Sequence, residues 1–448
     1  MKRFIGLALT AALALSLAGC GGAKTQLERP TSYDGIVSAP GSIVVGDNTE
    51  ETTSKPDSLT GSKTEDLSQS ASLPTQTASV PPDIAFGGYH AGILCNDGTL
   101  WMIGSNDKGQ IGDGTTSKAK EPVRIMDNVT KVSCGASFSA AIKSDGSLWM
   151  WGANESGQIG NGTTENALTP VMIMEDVAFV STTGVTYTAA IKRDGSLWTW
   201  GCVNGGMLGN GTKAGSSTPV KIMDDVAFVY AGGGNAMVIK TDGSLWMWGL
   251  NTTGQMGNGE KSNTWIVDPV FVMDDVRSAD SDSSGGAFAV IKSDGSLWMW
   301  GFLDRIFGDG SGSPFVPTKI MDNVEYFDFS DTGHNAIAIK EDGSLWIWGQ
   351  GDKGQLGNES KALSTDPLKV MDNVVSAEMA FHFAIVQKSD GSLWGWGLNV
   401  SDVPIQLLTE VTVARCLDRN VLAFKADGSL WGKMGHYEGM LELSKIMG

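Results

Sequence analysis

The chain is poor in the residues that several protein classes need. It has 14 Pro and 4 His in 448 residues, and its 32 Lys plus Arg are outnumbered by 50 Asp plus Glu. Low proline, with no Gly-X-Y period, excludes collagen-like and Pro-rich linker chains. The cation deficit, a formal charge of −18, argues against DNA or an acidic membrane surface as a partner. His90, His334, His382 and His436 are scattered without ligand spacing, which speaks against a zinc site. Beyond residue 20 no apolar run is long enough to span a bilayer. What the chain has in excess is glycine, 59 residues, and tryptophan, 15 residues. Each interior Gly costs a helix about 1 kcal/mol relative to Ala, so a mainly helical protein is excluded and a turn-rich all-β chain remains.

The first residues read as an address. Lys2 and Arg3 precede a short apolar core ending at Leu17, and Leu17-Ala18-Gly19-Cys20 follows. This pattern is a secretory signal, too short for a stable span. It is similar to the lipobox of bacterial lipoproteins, and the resemblance implies cleavage after residue 19 and acylation of Cys20. The protein is therefore expected in the bacterial cell envelope, lipid-anchored on the extracytoplasmic side; two or more acyl chains suffice for stable anchoring. Residues 20–82 lack apolar periodicity and carry Tyr33 as their one aromatic. They are expected to be a disordered tether with a mean span on the order of 40–45 Å.

Residues 83–448 are one unit written eight times. Asp-Gly-Ser/Thr-Leu-Trp recurs with its Asp at 97, 145, 194, 242, 294, 342, 390 and 427. Fourteen Trp lie in or two residues beyond this motif, and Trp265 lies outside it. In the second unit, Ala140-Ala141-Ile142-Lys143 and Leu148-Trp149-Met150-Trp151 flank Asp145-Gly146, which reads as a hairpin with a two-residue type I′ turn. With a period of two, Trp149 and Trp151 share one face and Leu148 and Met150 the other. A sheet apolar on both faces must be covered on both, and neighbouring repeats do this. Pro170–Met174 and Val177–Val180 complete four strands per period of about 48 residues, the signature of a β-propeller.

The run Asp145-Gly146-Ser147-Leu148-Trp149-Met150-Trp151-Gly152, followed by Gly157-Gln158-Ile159-Gly160-Asn161-Gly162, resembles the repeat of the regulator of chromosome condensation family. The wording returns at Gly254-Gln255-Met256-Gly257 and Gly354-Gln355-Leu356-Gly357. The resemblance implies a propeller, usually of seven blades; the count here points to eight. A His seven residues before the hairpin Asp is common in that family, and only His90 matches. The fifth unit carries Asp304-Arg305-Ile306-Phe307-Gly308 in place of the Gly-Gln-Leu-Gly loop, and the last two units are shortened. No insertion resembles the nucleotide-exchange wedge of the nuclear member.

The repeated Asp reads as turn chemistry rather than a calcium ladder, and the Met-Asp-Asn/Asp-Val runs as solvated corners. A sialidase is excluded by the adjacent Asp and Gly and by the scarcity of Arg. No nucleophile elbow, P-loop or dinucleotide fingerprint is present. Neither cofactor nor metal is expected. Cys95, Cys134, Cys202 and Cys416 read as buried free thiols. Trp265, with Arg305, Phe307 and Phe315 in the next unit, forms the candidate partner-binding patch. The expected function is a non-catalytic, monomeric surface lipoprotein whose propeller binds a protein or an envelope polymer. A secreted β-lactamase inhibitor with the same repeat makes enzyme inhibition a narrower version. The alternative is a glycan-processing propeller enzyme, which needs paired carboxylates.

Overall fold

The computed structural model describes residues 80–448 apart from 183–185, 202–205, 283–284, 304–305, 307–314, 331–332, 381 and 435–440. It contains eight four-stranded antiparallel sheets, each a simple meander. They cover residues 83–126, 129–174, 177–223, 226–273, 276–321, 324–371, 374–408 and 411–447. First strands of neighbouring sheets pack together around most of the ring, and Val411–Leu417 meets Asp83–Phe86 to close it. The eight-bladed propeller read from the repeat is the observed fold.

In blade 2 the strands are Val129–Cys134, Phe138–Lys143, Leu148–Gly152 and Ala167–Met174, from the axis outward. Trp151 is fully buried, and Trp149 half-buried, in a cluster with Leu94, Met102 and Ile111 of blade 1. Leu148 and Met150 face the opposite way, packing with Tyr187's neighbours Ala190 and Trp200 of blade 3. The alternation predicted from the period of two is thus what joins each blade to both neighbours. Trp151, Trp200, Trp248, Trp300, Trp348 and Trp396 are the largest fully buried side chains.

The hairpin turn differs from the expected type I′. Gly146 has φ 86°, whereas Asp145 keeps a negative φ. The Gly146 N–H donates to the Lys143 carbonyl at 2.9 Å, and the Lys143 N–H to the Ser147 carbonyl at 3.0 Å. This is a three-residue loop with glycine in the left-handed position, a turn followed by a bulge. The Asp has a different task. Its Oδ1 accepts the Ser147 N–H at 2.8 Å and the Ser147 hydroxyl at 2.6 Å, while the Trp149 indole N–H donates to Ser147 Oγ at 2.9 Å. The same relay ties Asp97 to Trp101 and Asp427 to Trp431. It explains why Asp, Ser/Thr and Trp recur together. The Met-Asp-Asn/Asp-Val corners turn through left-handed residues such as Asn128, Asp176 and Asp225, which Asn and Asp tolerate best.

Among the described residues ring closure uses no exchanged strand. Asp83–Phe86 pairs with His90–Leu94 in blade 1, and Ser444–Met447 pairs with Leu430–Lys433 in blade 8. The seam is sealed by Ile84, Phe86, Leu417, Leu422 and Phe424. Blade 7 keeps an eight-residue outer strand, Ser401–Leu408, while the outer two strands of blade 8 have four residues each. Of the two shortened units, only the last therefore has short outer strands. Cys95, Cys134 and Cys416 are free; Cys134 and Cys416 are buried as read from the sequence, whereas Cys95 is only half-buried, and burial pushes the Cys134 thiol up to about 12. Cys202 and His436 lie outside the described residues.

Candidate functional site

The meander gives the ring two unlike faces. One carries the Asp-Gly-Ser/Thr hairpins, alike in all eight blades, and the Met-Asp-Asn/Asp-Val corners, whose last counterpart is Leu408-Thr409-Glu410-Val411. The other carries the loops leaving the first and third strands, and the repeat's irregularities fall there. Among the regular loops of this second face, the Gly-Gln-x-Gly segment is a clasp on the next blade. The indole N–H groups of Trp151, Trp200, Trp300 and Trp396 donate to the carbonyls of Gln110, Gln158, Gln255 and Gln355 at 2.8–3.0 Å. A Cβ on Gly160 would stand 2.4 Å from the Trp200 indole nitrogen, so the clasp requires glycine there. A buried Asn ties the loop itself: Asn154 Oδ1 accepts the Ile159 N–H at 2.9 Å. In the fifth unit, whose sequence departs from Gly-Gln-x-Gly, the buried Trp348 indole N–H has no hydrogen-bond partner among the described residues.

The sequence-predicted patch is only partly assembled. Trp265 sits in the outermost strand of blade 4, Ser262–Met273, half-buried against the cluster shared with blade 3. Phe315 is also half-buried; it lies over Gly254, where a Cβ would meet its ring at 2.4 Å, and under Lys261 Nζ, 4.0 Å from the ring centre. Leu168, Ser217 and Asp402 occupy the corresponding place over Gly109, Gly157 and Gly354. Phe315 thus fills a repeat position, while Lys261 is brought onto it. Arg305 and Phe307, and Cys20, expected from the sequence to be lipidated, lie outside the described residues. Tyr89 and Phe302, 62% and 37% exposed, stand on the same loop face.

The residues that sequence reasoning missed are at the axis. The fifth residue of each inner strand, counted from its first Val, is Ser133, Ser181, Tyr230, Asp280, Asp328, Glu378 and Arg415 in blades 2 to 8. Each points toward the next inner strand near the loop face. Ser133 Oγ meets Thr182 Oγ1 at 2.7 Å, Asp328 Oδ2 accepts the Met379 N–H at 3.1 Å, and Glu378 Oε2 accepts the Cys416 N–H at 2.8 Å. These side chains stitch the inner strands into a girdle. Arg415 closes it, 3.1 Å from Glu378 Oε1 and 3.8 Å from Asp83 Oδ1 of blade 1. Asp282, next along, accepts the Gly286 and Ala287 N–H groups at 2.7 and 2.9 Å. Asp280, Asp328 and Glu378 surround Tyr326. Burial raises Glu378 and Asp83 above the ordinary carboxylate range, against the pull of Arg415. Burial, with Asp282 adding to it, pushes Asp280 well above that range. A signal was available: units 5 to 7 place an acid, Asp280, Asp328 and Glu378, at one fixed position of the inner strand.

A family model described as the RCC1-like domain matches residues 43–386. Human WBSCR16 is 21% identical over 67% of this chain and 85% of its own, with a TM-score of 0.55. Yeast RCC1 (Prp20) bound to Kap60 is 19% identical, over 68% and 79%, with a TM-score of 0.55. Prp20p from Saccharomyces cerevisiae, in a structure titled with its binding properties to Gsp1p and histones, is 18% identical over 71% and 83%, with a TM-score of 0.56. These similarities show a shared fold. No curated protein matches the chain. With the family model spanning most of the chain, and the Gly-Gln-x-Gly clasps and stacked Trp repeating around the ring, the chain belongs to the RCC1-like domain family.

Proposed function

We propose that the protein is a non-catalytic binding scaffold, held at the bacterial cell envelope by lipid on Cys20, that offers its loop face to a partner protein. The observation that carries this reading is the asymmetry of the ring. The hairpin face repeats one solution eight times, as a scaffold requires, whereas exposed Tyr89 and Phe302 and the Lys261–Phe315 pair stand on the opposite face. Aromatic and cationic side chains on variable loops are the usual anchors of protein interfaces. The structures similar to this chain include one bound to a protein, Kap60, and one named for binding Gsp1p and histones; a protein partner here is in keeping with that. Inhibition of an enzyme would be one use of such a face.

A photo-crosslinking residue at Tyr89 or Phe302 should capture a protein adduct in intact cells, and one at Asp242 on the hairpin face should not. Adducts from Asp242 alone, or turnover of a glycoside panel by the purified propeller, would refute the scaffold reading. Cys20→Ser should move the protein out of the membrane fraction, and continued sedimentation with membranes would refute the lipid anchor.

A further inference from the structure

Among the described residues, the axial girdle brings five carboxylates and one guanidinium together. Asp83, Asp280, Asp282, Asp328 and Glu378 lie along one arc, and Arg415 is already committed to Glu378 and Asp83. Asp328 and Glu378 are also engaged by backbone N–H groups of the following blade. Asp280 is engaged in the same way, by the backbone of Ser281 and of Phe329 in the following blade, but it keeps part of its surface exposed and pairs with no Lys or Arg among the described residues. Buried carboxylates in this density must hold protons or find a cation.

A second, independent observation lies beside them. Tyr230 occupies the girdle position of blade 4, is 2% exposed, and its hydroxyl makes no hydrogen bond of normal geometry although Ser281, Asp280 and Asp282 are close by. The Tyr187 hydroxyl, fully buried nearby, likewise has no hydrogen-bond partner among the described residues. An unpaired buried hydroxyl costs about 1–3 kcal/mol, and native proteins leave few without a ligand or water to answer them. Phe228, two residues before Tyr230, packs in the same cluster, and its ring lies 6.0 Å from that of Phe179. Phenol oxygens, aromatic rings and carboxylates together form the environment that stabilises an ammonium or guanidinium group. Among the described residues no three His, Cys, Asp or Glu are grouped to hold a metal ion.

We propose that the loop-face end of the axis, at Asp280, Asp282 and Tyr230, receives the cationic side chain of a partner protein, an arginine or lysine carried on a protruding segment. The assignment rests on the scaffold reading above and names the partner's chemistry. The ring favours it at long range: residues 80–448 carry 26 Lys plus Arg against 42 Asp plus Glu, a charge of −16, which steers cations toward it.

The test uses agmatine, which carries a guanidinium and an ammonium group, titrated into the whole protein near physiological salt and followed by calorimetry and by aromatic side-chain NMR. Saturable binding that shifts the Tyr230 resonances is expected. Asp280→Asn should weaken it at least tenfold, Tyr230→Phe several-fold, and Asp127→Asn on the opposite face not at all. Binding insensitive to Asp280→Asn and Tyr230→Phe, or no binding, would mean that the hydroxyls meet water only and would overturn the proposal. Should Asp280→Asn fail to fold, the isosteric Tyr230→Phe decides. Agmatine binding together with crosslinks confined to the hairpin face would instead uphold this site and refute the scaffold reading.

Discussion

Replacing Arg415 by Met tests the account of ring closure most directly. The guanidinium bridges blades 7, 8 and 1 through Glu378 and Asp83, and the three side chains are 21%, 8% and 16% exposed. Met keeps the length of the side chain and removes the charge, so two carboxylates are left buried without their cation. Removing one partner of a buried ion pair costs about 3–5 kcal/mol. Near 2 °C per kcal/mol for a large domain, the melting temperature should fall by roughly 6–10 °C at pH 7. The penalty also has a pH signature. Burial holds Glu378 and Asp83 above their ordinary values of 4.5 and 3.8, so the fold binds more protons there than the unfolded chain. That contribution is present at low pH and is lost as pH rises through the folded values. Without Arg415 both groups shift further up, so the loss continues to higher pH. The destabilisation should therefore grow between about pH 4.5 and pH 7 in thermal scans. Arg124→Met is the control, since the Arg124–Asp127 pair is 55% exposed on both sides and exposed pairs contribute about 0–1 kcal/mol. Equal melting shifts for the two variants, or a pH-independent Arg415→Met effect, would refute a charge-closed ring.

Three further outcomes follow from the packing. Trp151→Ala should cost about 3–5 kcal/mol in denaturant titration, and Trp149→Ala distinctly less, because only the deeper indole is fully buried; equal costs would contradict the assignment of blade cores. Trp396→Phe should cost about 1 kcal/mol more than Trp348→Phe, since Trp396 loses its bond to the Gln355 carbonyl while Trp348 has none to lose. Burial depresses His90 from 6.5 to about 4, so the unfolded chain takes up the proton first and stability falls as pH drops through that window. His90→Phe, matching Phe138 and Phe383 at the same repeat position, should remove on the order of 3 kcal/mol of this dependence. Parallel stability curves for the two proteins between pH 7 and pH 4 would exclude it.

Local sequence determined the blades. Eight Asp-Gly-Ser/Thr-Leu-Trp motifs mark eight hairpins, because a left-handed glycine and an Asp–Ser–Trp relay are contacts within five residues. The period of two alone decides that Trp151 faces one neighbour and Met150 the other. The type of turn was not legible, since a two-residue and a three-residue loop share the same Asp-Gly pair and differ in which strand residues pair across it. Trp265 and Phe315 stood out as departures from the repeat, yet Phe315 lies where Leu168, Ser217 and Asp402 also lie, a correspondence visible only once blades are superposed on their neighbours. The assembly of the axial girdle belongs to the tertiary structure, although the acid at one fixed position of units 5 to 7 was already visible in the repeat. Asp280, Asp328, Glu378 and Arg415 are separated by about one repeat each, and ring closure alone brings Arg415 to Asp83, more than 300 residues away. Contacts within a blade are written in one repeat, whereas the axis is where eight repeats meet, and its chemistry depends on which residue each of them contributes.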